Sequence, residues 1–282
     1  MATQQRALCN EIVRTYKIRQ QAKKEAEKAR KEAQKARKEA QKQAAWEASR
    51  PAREAAEAKE AAEKVAAEAK AALARRAFTT LSAVPGVAPI LRDQRVYHWL
   101  CGDTSFLEGR TLKDRERAES AWGDELKRHL PTPTDASWTG PVGEHIAEAL
   151  LAVAGRVVQP KKRYYHYNPT DKRTILSDGE LDDYVLEIKS QTYYTSGTAG
   201  EKIPTVARKY AWVPRVSNKK VLVICLGKAE QIARTYCLFK DPSAPAEDKA
   251  YQELDATFNI EYLAGTDLLT MAMSAIPTPV PL

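Results

Sequence analysis

At 282 residues the chain is long enough for one large domain or two smaller ones, and a 43% hydrophobic content allows a real core. A formal net charge of +8 favours an anionic partner. There is no run of eighteen apolar residues and no signal-peptide core near Met1, and Cys9, Cys101, Cys225 and Cys237 show no close paired spacing. These absences argue against a membrane span, a zinc module and a disulfide framework, and the expectation is a soluble protein of the reducing cytoplasm.

The charge is not spread evenly. Residues 1–50 hold fourteen Lys and Arg against six Glu, a surplus equal to that of the whole chain. Residues 11–78 are dominated by Ala, Lys, Glu, Gln and Arg, all good helix formers. The heptads KEAEKAR, KEAQKAR and KEAQKQA, from Lys24 to Ala44, place Ala26, Ala29, Ala33, Ala36 and Ala40 at alternating steps of three and four, the pattern of a coiled-coil seam. Pro51 is expected at the first position of a second helix, from Arg53 to about Phe78, giving an α-helical, coiled-coil-like hairpin over residues 1–78. Its role is open between a solvated spacer, a dimer handle and a clamp on a nucleic-acid backbone.

From Thr79 the composition changes, and residues 79–282 are expected to form a second domain with its core at about 140–265. Leu112 to Leu130 reads as a charged helix ended by Pro131-Thr132-Pro133-Thr134, and Gly143 to Val153 as an amphipathic one. Arg156-Val157-Val158 and then Arg163 to Tyr167 read as strand, as do Thr174 to Leu176 and Tyr184 to Lys189. Lys220 to Leu226 is a buried strand by its continuous apolar run. Ala229 to Tyr236 reads as helix, Phe258 to Leu263 as strand and Thr266 to Ala275 as helix. The element order therefore reads as α/β, a sheet flanked by helices.

The chemistry concentrates at SDGELDDYVLEIKSQ, residues 177–191. In a strand, residues two apart share a face, so Glu187 and Lys189 project side by side while Leu186 and Ile188 turn the other way. Ser177-Asp178, eight residues, then Glu187-Ile188-Lys189 resembles the motif of the PD-(D/E)XK nuclease superfamily, here over about residues 140–230. The resemblance implies a restriction-endonuclease-like mixed-sheet core flanked by helices, in which Asp178 and Glu187 bind Mg²⁺ and Lys189 assists the attacking water. Such chemistry suits hard oxygen ligands that leave the cation room for water and phosphate. Two departures stand out: Ser177 replaces the motif's proline, and Asp182 and Asp183 are competing carboxylates, although Asp183 lies about 13 Å along one extended strand from Glu187 at ~3.3 Å per residue.

Glu144, with Glu148 one turn later as the alternative, matches the extra acid that many members carry on the helix before the first strand. The segment from Gln191 to Ile203 is similar to the one that succeeds the catalytic strand in a group of type II restriction endonucleases. Ser196, Thr198, Lys202, Arg208 and Lys209 are the expected DNA contacts. The resemblance implies a Mg²⁺-dependent, sequence-specific endonuclease of double-stranded DNA, a homodimer, with a DNA methyltransferase acting on the same site as its associate. A structure-specific or repair nuclease of the same fold, or a non-catalytic basic coiled-coil nucleic-acid-binding protein, are the alternatives.

Overall fold

The run of helix formers makes a single helix, α1 (Ala2–Leu81), in the computed structural model, which describes residues 2–195, 202–239 and 249–277. The expected hairpin is thereby corrected: the helix continues through Pro51 with no turn at Ser49-Arg50-Pro51. An internal proline costs one backbone hydrogen bond and about 3 kcal/mol, and strong helix formers on both sides oppose that loss. Local contacts bridge the site as well. Ser49 Oγ donates to the Trp46 carbonyl at 2.8 Å, Arg50 pairs with Glu54 at 2.7 Å, and the Arg53 guanidinium lies 4.4 Å from the centre of the Trp46 ring. All described side chains from 21 to 70 are exposed, Ala36 and Ala40 of the expected seam among them.

The chain divides into two compact units, Met1–Val65 and Ala66–Leu282. In the second, the last turns of α1 bury Ala74, Ala77 and Leu81. Next come α2 (Gln94–Leu100), which the sequence reading did not anticipate, α3 (Leu112–Leu126) and α4 (Thr139–Val153). Asp93 caps α2 by accepting Arg95 N–H at 2.9 Å, and Thr111 with Asp114 forms a capping box on α3. A ribbon of β1 (Arg163–Tyr165) and β2 (Thr174–Leu176) stands apart from a four-stranded mixed sheet made of β3 (Gly179–Glu180), β4 (Tyr184–Gln191), β5 (Lys220–Gly227) and β6 (Ile260–Ala264). Arg156-Val157-Val158 is not a strand; only Gln159 bridges to Glu180.

In sheet order β3-β4-β5-β6, β3 is antiparallel to β4 and the remaining pairs are parallel. Helices α5 (Val206–Tyr210) and α6 (Val213–Ser217) lie between β4 and β5, and α7 (Lys228–Thr235) and α8 (Lys249–Thr257) between β5 and β6. Helix α9 (Gly265–Ser274) comes after the last strand. Such a parallel arrangement covers both faces, which is why β5 reads as an unbroken apolar run. One face, with Leu186, Ile188, Ile224 and Leu226, packs under α4 and α9 through Ile146, Leu150, Leu268 and Leu269. The other, with Val185, Val221, Val223 and Cys225, packs under α5 and α6 through Val206, Ala207, Tyr210 and Val213.

Two local devices set where β4 ends. Gly143 lets α4 approach the strand: a Cβ there would lie 2.6 Å from Ser190 Cβ, and Ser190 Oγ donates to the Thr139 carbonyl in the first turn of α4. Beyond the strand, fully buried Glu119 on α3 accepts Trp99 Nε1–H at 2.9 Å, Tyr193 N–H at 2.9 Å and Tyr194 N–H at 3.1 Å. Three donors make the burial of that carboxylate tolerable. The Trp99, Trp122 and Trp138 rings, 5.7–6.1 Å apart, pack around it.

Candidate active site

Glu187 and Lys189 share one face of β4, as the two-residue period requires, and sit beside Val223 and Cys225 of β5 in register. That face is covered by α5. Glu187 is only 3% exposed, yet both oxygens of its carboxylate meet donors. Lys189 Nζ and, at 3.5 Å, Lys209 Nζ meet Oε1, while the Tyr210 hydroxyl donates to Oε2. Burial, then the negative charge of Glu187, pushes the Tyr210 phenol well up, so it remains a protonated donor at all physiological pH.

Asp178 stands at the head of β3. Gly179 pairs with Leu186, so one step back along the ladder Asp178 faces Glu187. Its backbone N–H donates to the Leu186 carbonyl at 3.0 Å, and its Oδ2 accepts the Ile188 N–H at 2.7 Å. Burial first, then the charge of Glu187, raises its carboxyl to about 6, against the opposing Ile188 hydrogen bond. Glu144 adds to the rise, and Lys189 offsets part of it.

Glu144 is held at 2.5 Å by Lys161 Nζ, from the segment leading into β1. Burial works against the Lys161 ammonium, but the Glu144 hydrogen bond, helped by the charges of Glu144, Asp178 and Glu148, leaves its pKa raised. Burial, and then the charge of Glu144, raises Glu148. A cavity of about 410 Å³ opens between this acidic side of α4 and the loop Leu130–Thr134. Glu144, Glu148, Lys161 and Asp178 thus form one electrostatic group continuous with Glu187 and Lys189.

The structure therefore brings together Asp178, Glu187, Lys189 and Lys209, with Glu144 alongside. Asp182 and Asp183 are exposed in the turn before β4, outside this group. Lys202 and Arg208 are exposed and form no ion pair with the group among the described residues. The expected contacts Ser196 and Thr198 lie outside the described residues. Pro204 sits in a turn, and α5 starts two residues later at Val206.

Sequence reasoning missed Tyr210 and Lys161. The available signal for Tyr210 was the spacing Val206, Ala207, Tyr210, which puts the tyrosine on the buried side of a short helix. Nothing in sequence ties that helix to Glu187. A second missed group borders the first, on β3, which Asp178 immediately precedes. Buried Glu180 accepts the Tyr164 hydroxyl and, at 2.7 Å, Lys219 Nζ, while Lys162 Nζ lies 4.0 Å away.

Among the described residues no set of three or more His, Cys, Asp and Glu side chains is arranged to hold a metal ion. The acidic pair Asp178 and Glu187 nonetheless fits a hard divalent cation that takes its other ligands from water and phosphate. Asp178 Oδ1 accepts no hydrogen bond among the described residues, and the charge of Glu187 raises the cost of ionising Asp178, which a cation relieves. No protein-family model, curated protein or solved structure matches the chain.

Proposed function

We propose that this protein is a divalent-cation-dependent phosphodiester hydrolase acting on double-stranded DNA, resembling type II restriction endonucleases in its catalytic centre. The observation that carries the proposal is the convergence of Asp178 and Glu187 from adjacent antiparallel strands, with Lys189 on the Glu187 carboxylate. An ion pair on a wet strand face does not account for it, because Glu187 is buried and faced by a second acid.

In this reading Asp178 and Glu187 would hold Mg²⁺, which when bound supplies neutralisation of the phosphate and a more acidic water. The chain's own residues do the rest. Lys189, partly exposed, donates to the attacking water or to the phosphate oxygen on which charge develops. Tyr210 and Lys209 hold Glu187 in one orientation, so that Lys189 is free to turn toward the substrate without leaving the carboxylate unpaired. Glu144 and Lys161 flank the entry, and the lysines give the acidic pair a cationic rim that attracts phosphate. Water adds to phosphorus, the P–O3′ bond breaks, and the ends are a 5′-phosphate and a 3′-hydroxyl.

A homodimer would present one such centre to each strand of a palindromic site. The test is incubation with defined plasmid or phage DNA in Mg²⁺ and in EDTA, followed by mapping of the ends. Discrete Mg²⁺-dependent fragments sharing one end sequence support the reading, and they disappear in Glu187→Gln and Lys189→Ala. A smear indicates a nuclease without base specificity, and intact but retarded DNA indicates a binding protein.

A further inference from the structure

We propose that the two-stranded ribbon β1–β2 is the element that enters the major groove of duplex DNA beside the phosphodiester bond to be cut. The neighbouring cut rests on the nuclease reading; the binding itself does not.

The ribbon is a separate antiparallel pair, with Arg163 opposite Leu176 and Tyr165 opposite Thr174. Its two sides differ. Tyr164 and Ile175 turn inward and are buried, whereas Arg163, Tyr165, Thr174 and Leu176 face outward. Tyr165 is 66% exposed and Leu176 47%, so among the described residues nothing covers this large aromatic and aliphatic pair. A structural hairpin would normally put polar residues there.

Charge identifies the occupant. Residues 161–176 carry five Lys and Arg against one Asp. That one acid, Asp171, is taken by Arg173 at 2.6 Å, and no carboxylate pairs with Arg163 or Lys172 among the described residues. Beside the tip, Arg215 lies 5.7 Å from the centre of the Tyr167 ring and adds another cation. Cations interleaved with exposed aromatic and aliphatic side chains suit phosphate contact combined with apolar contact to base edges, such as a thymine methyl.

Shape and position agree. Two strands about 4.8 Å apart fit a B-form major groove about 12 Å wide, while the deep, narrow major groove of duplex RNA excludes them. The ribbon is braced at its foot by Tyr164 on Glu180, and nearer the tip by the His166 ring packed 5.1 Å from Trp212. Strand β2 ends at Leu176, two residues before Asp178. A groove held by the ribbon therefore places a phosphate backbone next to the acidic pair.

The test is fluorescence anisotropy of the full chain in EDTA, where cutting is not required, against a labelled mixed-sequence DNA duplex of about 30 base pairs, its single strand and the equivalent RNA duplex, over a range of salt. Arg163→Ala/Tyr165→Ala/Lys172→Ala changes only exposed positions and leaves the inward packing intact. Lys172→Glu, at an exposed turn, gives a second variant that touches no packing. The triple variant is expected to bind duplex DNA about tenfold more weakly, with a salt slope shallower by about 2 for the two lost cations, and Lys172→Glu to weaken binding in the same direction. The proposal is overturned if both variants bind within about twofold of wild type, if wild type binds no duplex, or if it prefers the single strand or the RNA duplex. A chain that binds through the ribbon but never cuts in Mg²⁺ removes the nuclease reading and leaves the ribbon standing. A chain that cuts while its ribbon variants bind normally removes the ribbon alone.

Discussion

Asp178 faces Glu187 across the β3–β4 pair, and the two carboxylates are served unequally. Among the described residues, Glu187 is met by Lys189, Lys209 and Tyr210, whereas Asp178 has one backbone N–H, from Ile188. Burial, and then the charge of Glu187, raises the Asp178 carboxyl to about 6 against that single donor. A folded-state pKa above the ordinary 3.8 means that the folded protein binds more protons than the unfolded chain between those values. The Asp178 contribution to stability is then greatest below pH 4, falls as pH rises toward 6, and its cost is complete above 6.

Asp178→Asn keeps an acceptor for Ile188 and removes that cost. The variant is expected to be more stable than wild type by about 1–2 kcal/mol at pH 7.5, a few degrees in Tm, and indistinguishable from it at pH 4. Thermal unfolding of both proteins at the two pH values reads this directly, because other titrating groups cancel in the difference. A stability gap independent of pH contradicts the assignment.

Metal linkage arises from the same pair. A cation bound by Asp178 and Glu187 in the folded state alone raises wild-type stability by about 1.4 kcal/mol at tenfold excess over its Kd. Mg²⁺ is therefore expected to raise the wild-type Tm at pH 7.5 and to leave that of Asp178→Asn almost unchanged, with EDTA restoring the starting value. Equal shifts in the two proteins would place the cation elsewhere.

Tyr210→Phe retains the ring in its apolar contacts and removes the donor to Glu187 Oε2. An acceptor left unsatisfied in a buried site costs about 1–3 kcal/mol. Urea unfolding is expected to show a loss in that range. DNA cleavage should fall by about tenfold while duplex affinity in EDTA is unchanged, since the substitution loosens the carboxylate without touching a phosphate contact.

Much of the β-sheet was legible because its signals are local. The apolar run Lys220–Leu226 is β5, and the alternation in Tyr184–Lys189 gave both the strand and the shared face of Glu187 and Lys189. Asp178 was singled out through the resemblance of Ser177-Asp178 and Glu187-Ile188-Lys189 to a nuclease motif, and it lies opposite Glu187. Contacts made between distant segments were not: Tyr210 reaches Glu187 from a helix after the next loop, and Lys161 reaches Glu144 across the turn from α4 to β1. Pro51 misled for a different reason. Its breaking tendency is a local rule, whereas the helix around it is supported by the summed propensity of its neighbours and by the contacts spanning the proline. Arg156-Val157-Val158 has strand-like composition but pairs with no strand among the described residues, and Val157 stays 74% exposed.

Glu119 gives the largest stability effect expected outside the site. Its carboxylate takes the Trp99 indole and the backbone donors of Tyr193 and Tyr194. Glu119→Ala orphans all three and opens a cavity among the tryptophans, for a loss of about 3–5 kcal/mol. Glu119→Gln keeps one acceptor but turns donors toward donors, and should fall between. Chemical denaturation ranks the three, and a loss below about 1 kcal/mol in Glu119→Ala would mean that water replaces the carboxylate at little cost.

The approach of α4 to β4 can be tested by a pair of substitutions. Gly143→Ala places a methyl 2.6 Å from Ser190 Cβ, so the helix must retreat or the strand bend, and Glu144 moves with it. Overpacking of this kind costs about 1–3 kcal/mol. The nearest obstructing atoms belong to the Ser190 side chain rather than to backbone, so Ser190→Gly removes them. In the double variant the methyl occupies the vacated space, at the expense of the Ser190 hydrogen bond to Thr139. The expected result is a favourable coupling of about 1 kcal/mol or more, the double variant being more stable than the sum of the single losses allows. Cleavage should track the same order, lowest in Gly143→Ala and partly restored in the double variant, because the helix carrying Glu144 returns toward Asp178. Additive losses in stability would show that α4 retreats without resistance and that the close approach at Gly143 does not position Glu144.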